Sequence, residues 1–130
     1  MGFLDLYDRI YGKLAGWKPA SYFYEEGQQL VTNATESLES RRGLIGSRDE
    51  FEELVRTNYD HLVRLRNTPF LYHEVAKTPD TIIVGDRLRR NWQRQIQLLD
   101  SNGIDWQRID ELMTEEQGLL VEYGEKVATS

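Results

Sequence analysis

The sequence predicts an all-α protein: an antiparallel bundle of about four helices, with a short amphipathic helix before it. Apolar residues recur at spacings of three and four along most of the chain, which is the period of a helix with one buried face. Capping and breaking residues divide these periodic stretches, and no stretch alternates apolar and polar residues as a half-buried strand does. Because the predicted loops are short, neighbouring helices should run antiparallel.

The chain should form one domain over residues 1–130. Its charged residues (29%) and hydrophobic residues (39%) are in the proportions of a folded protein. The absence of cysteine excludes disulfides, thiolate nucleophiles and cysteine-based zinc sites. No apolar run is long enough to span a bilayer, and the first residues lack the features of a signal peptide. We therefore expect a location in the cytoplasm, or in a virion assembled there.

Residues 1–18 form the first predicted element, an amphipathic helix that ends at Gly16 and Pro19. Acidic residues come early in it and basic residues late, as the helix dipole favours. We expect this helix either to pack on its own bundle or to dock or exchange with a partner. Its apolar face carries Phe3, Leu6, Tyr7, Ile10 and Leu14.

Two long helices should follow, separated by a turn that contains two glycines. The first begins near Ser21, which can cap it, and ends at Arg41-Arg42-Gly43. The second begins after Ser47, whose spacing to Glu50 is typical of a capping box. The predicted apolar faces are Phe23, Leu30, Val31, Ala34 and Leu38, and then Phe51, Leu54, Val55, Leu62 and Leu65, with Asn58 inside the second face.

Threonine–proline pairs predict the next two helix starts, because proline at the first helical position loses no needed donor. Thr68-Pro69 opens a short helical turn that runs to about Lys77, and Thr78-Pro79 opens a long helix. Asn102-Gly103 stops that helix, and Asp105 caps the last one. The predicted apolar faces are Val84, Leu88, Trp92, Ile96 and Leu99, and then Ile109, Leu112, Met113, Leu120, Tyr123 and Val127.

No residue pattern predicts a catalytic or metal site, so we expect a non-enzymatic protein without a cofactor. The two histidines, His61 and His73, belong to no motif that places two metal ligands on one helical face. We expect His61 to be a hydrogen-bonded structural residue. An enzyme with an unfamiliar site would need a pocket that gathers His61, His73 or Glu116.

Glu116 is the acidic residue that falls within the apolar face of the last helix. A lone buried carboxylate is costly, so we predict that Glu116 pairs with an arginine across a helix or subunit interface. A single inward carboxylate without a histidine partner does not make the di-iron site that some bundles hold. The other acidic residues of this helix turn outward: Asp110, Glu111, Glu115 and Glu122.

A stripe of arginines lies on the helix that follows Pro79. Arg87, Arg90 and Arg94 are spaced i, i+3, i+7, which places them on one face, opposite the predicted apolar side. Guanidinium groups suit phosphate and carboxylate partners. The stripe therefore predicts contact with nucleic acid, contact with an acidic surface, or salt bridges to the acidic last helix of the same chain.

Nucleic-acid binding by Arg87, Arg90 and Arg94 is the alternative function. His73 to Lys77, the turn Thr78-Pro79-Asp80 and the arginine helix together resemble a helix-turn-helix, although the turn lacks its usual glycine and no basic wing follows. The net charge of −6 divides into −3 for residues 1–40, +3 for residues 41–94 and −6 for residues 95–130. The acidic end opposes phosphate binding, and this division favours pairing between the basic middle and the acidic tail.

Aromatic residues concentrate near the start of the chain. Tyrosine and tryptophan are favoured at interfaces because they bury a large area and keep a polar tip. With the missing catalytic motifs, this predicts a protein–protein interaction or assembly protein that self-associates or binds another protein. A small helical adaptor, or a viral or accessory complex component, fits. The candidate interface residues are Phe3, Tyr7, Tyr11, Trp17, Tyr22 and Tyr24.

Overall fold

The computed structural model describes residues 20–67 and 79–129, which form four α-helices and no strand. Their bounds lie within a residue or two of the predicted starts and stops. The predicted N-terminal helix over residues 1–18 and the predicted helical turn over residues 69–77 lie outside the described residues. The helices are α1 (Ala20–Arg42), α2 (Arg48–Asn67), α3 (Pro79–Leu99) and α4 (Trp106–Thr129).

The ends of the helices follow from local chemistry. Gly46 adopts a φ of 92°, a left-handed conformation that glycine takes without strain, and α2 begins two residues later. The backbone N–H of Arg108 donates to Asp105 Oδ1 at 3.0 Å, which is the predicted cap of α4. Pro79 occupies the first position of α3, as predicted.

The four helices form an antiparallel bundle in which each helix contacts two neighbours. The contacting pairs are α1–α2, α2–α3, α3–α4 and α4–α1. Along α1 and α4, Gly27 lies close to Val127 while Arg42 bonds to Gln117, so these two helices run in opposite directions. None of the described helices has an 18-residue stretch that is apolar enough to cross a membrane.

The predicted apolar faces of the four helices meet in one core. Val31 and Leu54 are half-buried, whereas every other member of these faces is buried. Ile82 and Ile83 belong to α3 rather than to a strand, and Ile83 is 51% exposed. The close packing of α1 on α4 depends on Gly27, because a Cβ there would lie 3.0 Å from Val127 Cγ1.

A network of polar side chains, contributed by all four helices, crosses this core. Arg41 and Glu116 are fully buried, and their side chains form an ion pair between α1 and α4. The prediction that Glu116 pairs with an arginine is therefore confirmed, and the pair joins two helices of one chain. The network consists of Ser37, Arg41, Asn58, Asn91, Gln95 and Glu116.

The network provides an acceptor for each of the three nitrogens of the buried guanidinium group. Arg41 Nη1 donates to Glu116 Oε1 at 2.9 Å and to Gln95 Oε1 at 3.0 Å, and Arg41 Nη2 donates to Glu116 Oε2. Arg41 Nε donates to Ser37 Oγ at 3.0 Å. Gln95 Nε2 in turn donates to Glu116 Oε1 at 2.8 Å. Buried charges are tolerated when they are paired and hydrogen-bonded in this way.

Tyr123 connects this packing to a pH dependence. Its side chain is 2% exposed in the core, and burial raises its pKa from 10.0 to about 12. The pKa of Tyr123 is higher in the folded than in the unfolded protein. The contribution of its neutral side chain to the free energy of unfolding is therefore complete below pH 10 and is lost as the pH rises toward 12. We expect the free energy of unfolding to fall in this range by about 1.4 kcal/mol per pH unit more than that of Tyr123→Phe.

Denaturant unfolding of both proteins between pH 9 and pH 12 measures this difference, and phenolate absorbance reports the ionisation itself. The Tyr123→Phe protein is the control for the other tyrosines and for the lysines, which ionise in both proteins. If the stability of the two proteins changed in parallel with pH, the pKa of Tyr123 would be the same in the folded and the unfolded state.

Candidate interaction surface

The outward face of α3 carries the predicted arginine stripe. Arg87, Arg90 and Arg94 are all exposed, while Leu88 and Trp92 on the opposite side of the helix are buried. We call these three arginines the basic face. The structure therefore confirms that they share one solvent-facing side of the helix.

One carboxylate organises the arginines at the start of this surface. Asp86 Oδ1 accepts hydrogen bonds from Arg66 Nη1 of α2 at 3.0 Å and from Arg89 Nη2 at 3.1 Å. Asp86 Oδ2 lies 3.0 Å from Arg90 Nη2. The hydrogen bonds from Arg66 and then Arg89 hold the pKa of Asp86 below its ordinary value, because they favour its charged form. Three guanidinium groups therefore surround one carboxylate at this point of the surface.

Two arginines of the basic face have no acidic partner among the described residues. Arg87 and Arg94 form no ion pair with any described residue, and Arg90 pairs within its own helix. The expected salt bridges from the stripe to the last helix are therefore wrong. Asp86, one turn before Arg90, is the nearer acceptor, and the inward carboxylate of α4, Glu116, is already bound to Arg41.

The expected pairing between the basic middle and the acidic tail occurs elsewhere. Arg41 binds Glu116 in the core, and Arg48 Nη2 lies 3.6 Å from Asp100 Oδ1 at the surface. Both pairs leave the basic face untouched. Within the described part of the chain, Arg87 and Arg94 therefore keep their positive charge without an acidic partner.

The outward face of α4 is acidic. Glu111 and Glu115 are exposed and Glu122 is half-buried, as the sequence predicted for outward residues. Arg108 neutralises Glu111 through an ion pair of 3.0 Å. Glu115 and Glu122 form no ion pair or hydrogen bond with the described side chains. The neighbouring helices α3 and α4 thus expose charges of opposite sign that no described residue pairs.

The predicted aromatic interface is described only in part. Phe3, Tyr7, Tyr11 and Trp17 lie outside the described residues. Tyr22 and Tyr24 are half-buried and pack against the core, and the ring of Tyr24 meets that of buried Phe23 edge-on at 5.7 Å. The start of α1 therefore hides part of each tyrosine ring. The role of this region in a partner interface stays a prediction.

The two described candidates for an unfamiliar enzyme site, His61 and Glu116, do not come together. His61 Nε2 lies 3.0 Å from Glu26 Oε2, which confirms the predicted hydrogen-bonded histidine. Glu26 and Arg41, the partner of Glu116, are 15 residues apart on α1, or about 22 Å along its axis. His73 lies outside the described residues. No group of three potential metal ligands occurs in the part of the chain that the structure describes.

Comparison with protein-family models, curated proteins and solved structures gives no match to this chain. The charges and contacts of the described surface therefore carry the functional inference. Their most distinctive feature is the basic face, which belongs to a chain of net charge −6.

Proposed function

We propose that this chain is a non-enzymatic interaction or assembly protein, whose four-helix bundle presents the basic face of α3 to an acidic protein surface. The observation that carries the proposal is that Arg87 and Arg94 are exposed and form no ion pair with a described residue, although the chain has 22 acidic and 16 basic residues. A positive surface on an acidic protein directs association toward partners of opposite charge.

The shape of the guanidinium group supports a carboxylate partner. Arginine offers a rigid fork of donors that matches a carboxylate with two parallel hydrogen bonds. The core already contains this arrangement, since Arg41 donates to both oxygens of Glu116. Arg87 and Arg94 have the same donors without an acceptor in the described part of the chain, and an acidic protein surface supplies carboxylate acceptors.

A protein partner suits the surroundings of the basic face better than nucleic acid does. The acidic face of α4 lies on the neighbouring helix, so a phosphate backbone laid along α3 would approach Glu115 and Glu122. Nucleic-acid affinity depends on neutralising several phosphates and releasing their counterions. Nearby carboxylates oppose that release, whereas a partner with both charges can satisfy both helices.

Nucleic-acid binding through Arg87, Arg90 and Arg94 is the second candidate function. The observation that favours it is the exposed i, i+3, i+7 spacing on one helix, because an α-helix fits the major groove of duplex DNA. It predicts affinity that falls steeply as salt rises, since phosphate contacts dominate such binding.

A triple substitution, Arg87→Ala/Arg90→Ala/Arg94→Ala, tests both candidates. We expect the unaltered chain to bind polyglutamate, a probe for an acidic protein surface, and the variant to lose at least about tenfold in affinity, or about 1.4 kcal/mol. Fluorescence anisotropy measures this loss, with duplex and single-stranded DNA and RNA titrated alongside. The control is Arg48→Ala/Arg56→Ala/Arg108→Ala, which removes the same charge from exposed positions on α2 and α4.

The outcomes separate the candidates. Polyglutamate binding that only the basic-face variant loses supports a protein-binding role. Binding to DNA or RNA that only this variant loses would replace it with the second candidate. Equal losses in both variants would show a general charge effect, and the basic face would then have no special role. No binding to any probe, in a chain that also remains monomeric, would contradict both functions.

A further inference from the structure

The basic face of α3 and the acidic face of α4 border the same side of the bundle. The side-chain amide of Asn91 donates to the carbonyl oxygen of Leu112 at 2.9 Å, so this edge of α3 faces α4. Arg87 precedes Asn91 by four residues and Arg94 follows it by three. Residues at these spacings are neighbours on a helix. Both arginines therefore lie on the outward edge of α3 that borders α4.

The acidic residues of α4 lie on its edge nearer α3. Gln117 accepts a hydrogen bond from Arg42, which marks the side of α4 that faces α1. At about 100° per residue, Glu115 and Glu122 lie about 140–160° around the helix from Gln117. Because α4 contacts only α1 and α3 among the described helices, these glutamates lie on the α3 side of its exposed surface.

The two charged rows have the same spacing and the same height in the bundle. Arg87, Arg90 and Arg94 repeat at i, i+3, i+7, and so do Glu115, Gly118 and Glu122 on α4. The hydrogen bond from Gln95 to Glu116 and the proximity of Gly85 to Tyr123 set the register between the helices. In this antiparallel register, Arg94 is level with Glu115 and Arg87 with Glu122, within about 3 Å.

The middle position of each row also fits. Arg90, which already pairs with Asp86, is level with Gly118. Gly118 has open space in front of its backbone, with no atom within 4 Å of where a Cβ would lie. Judged by the described residues, the row on α3 has two arginines without a partner on either side of a paired one, and the row on α4 has two glutamates without a partner on either side of a glycine.

The geometry points to a second copy of this chain as the partner: we infer a symmetric dimer in which the basic face of each copy lies on Glu115 and Glu122 of the other. Consider a two-fold axis that runs parallel to the helices, between the two facing surfaces. Rotation about it exchanges the positions of α3 and α4 across the interface and leaves each residue at the same height along the helix direction. It therefore places α3 of each copy over α4 of the other, with Arg94 opposite Glu115 and Arg87 opposite Glu122. Such an isologous contact uses the same surface twice and closes on itself.

This inference rests on the proposed function, since it names the partner of the basic face. Light scattering on the full chain, at about 50 mM and about 500 mM salt, tests it, because exposed charge pairs are screened as salt rises. We expect a mass of twice 15.3 kDa at low salt and a shift toward the monomer at high salt. A monomer at low salt would overturn the dimer.

Charge exchange identifies the surface. Arg87→Glu/Arg94→Glu should be a monomer, because its two rows are both acidic, and Glu115→Arg/Glu122→Arg should be one because both rows are basic. An equimolar mixture should recover the dimer mass, since each row then meets its opposite. The control, Arg48→Glu/Arg56→Glu, reverses two exposed arginines on α2 and should still dimerise.

The mixture, the two charge-exchange variants and the polyglutamate titration decide the remaining cases. A mixture that stays monomeric, while circular dichroism shows both variants folded, would overturn the proposed pairing. A dimer that persists in either single variant would assign the contact to another surface. If the dimer fails but polyglutamate binding still requires the basic face, the proposed function stands with a different partner. If both fail, the basic face has no binding role.

Discussion

Replacing Glu116 by alanine should lower the free energy of unfolding by about 3–5 kcal/mol, because it leaves the Arg41 charge buried without its anion. Arg41 is fully buried, and both terminal nitrogens donate to this carboxylate. Gln95 would keep one hydrogen bond to the guanidinium but would add no negative charge. Urea unfolding followed by circular dichroism measures the change. The matched control is Glu53→Ala at an exposed position on α2, expected to change the stability by less than about 0.5 kcal/mol.

Replacing both members of the ion pair tests the cause of this loss. In Arg41→Met/Glu116→Leu no buried charge remains, and apolar side chains of similar size fill the space. Such replacements of buried ion pairs are often neutral or stabilising, so the double variant should recover most of the lost stability. A double variant as unstable as Glu116→Ala would show that packing at these positions, rather than the unpaired charge, causes the loss.

Replacing Phe51 by alanine should cost about 3–5 kcal/mol, the range for removing a buried phenylalanine. Phe51 is fully buried near the start of α2. Its ring meets that of Trp106 edge-on, with centroids 5.4 Å apart, and the guanidinium carbon of Arg41 lies 5.6 Å from its centroid. The substitution therefore leaves a cavity and also removes a cation–π contact from the buried arginine.

Phe51→Leu separates these two contributions. Leucine keeps most of the apolar volume, and swaps of similar volume usually cost less than about 1.5 kcal/mol. The remaining loss reports the contacts of the ring with Trp106 and Arg41. Denaturant unfolding of the two variants gives both values. A loss below about 1 kcal/mol for Phe51→Ala would show that the core closes around the missing ring.

The helices could be predicted from the sequence because two kinds of signal agreed. Apolar spacing identified the buried faces, and capping chemistry located the boundaries, such as Pro79 at the start of α3 and Asp105 before α4. Leu54 was placed with the buried residues of α2 but is half-buried, since it lies at the edge of the apolar face. The apolar spacing shows which side of a helix is buried, but it does not show how many positions at the edge of that side are buried as well.

The polar network could be predicted only in part. Glu116 was recognised because a carboxylate within an apolar face needs a cation. Arg41 was assigned to a turn, although it follows Leu38 by three residues and Ala34 by seven, which places it on the buried face of α1. Gln95 carries a similar signal, because it follows Leu88 by seven residues. Which arginine binds Glu116 depends on helix packing, and no local pattern contains that information.

The basic face shows the same division between local and tertiary information. Its helical spacing was evident from Arg87, Arg90 and Arg94 alone. That Arg87 and Arg94 form no bridge to α4 depends on distances between helices, and the sequence favoured internal pairing instead. The cluster around Asp86 was also missed, because Arg66 reaches it from another helix.

The ion pair between Arg41 and Glu116 has a consequence for cooperativity. Its members come from α1 and α4, and Gln95 of α3 and Asn58 of α2 complete the hydrogen bonds around it. Loss of any one helix would open this network to water or leave a polar group inside without its partner. Partly unfolded forms with three helices in place are therefore penalised. The four described helices should accordingly unfold as a single all-or-none unit rather than piece by piece.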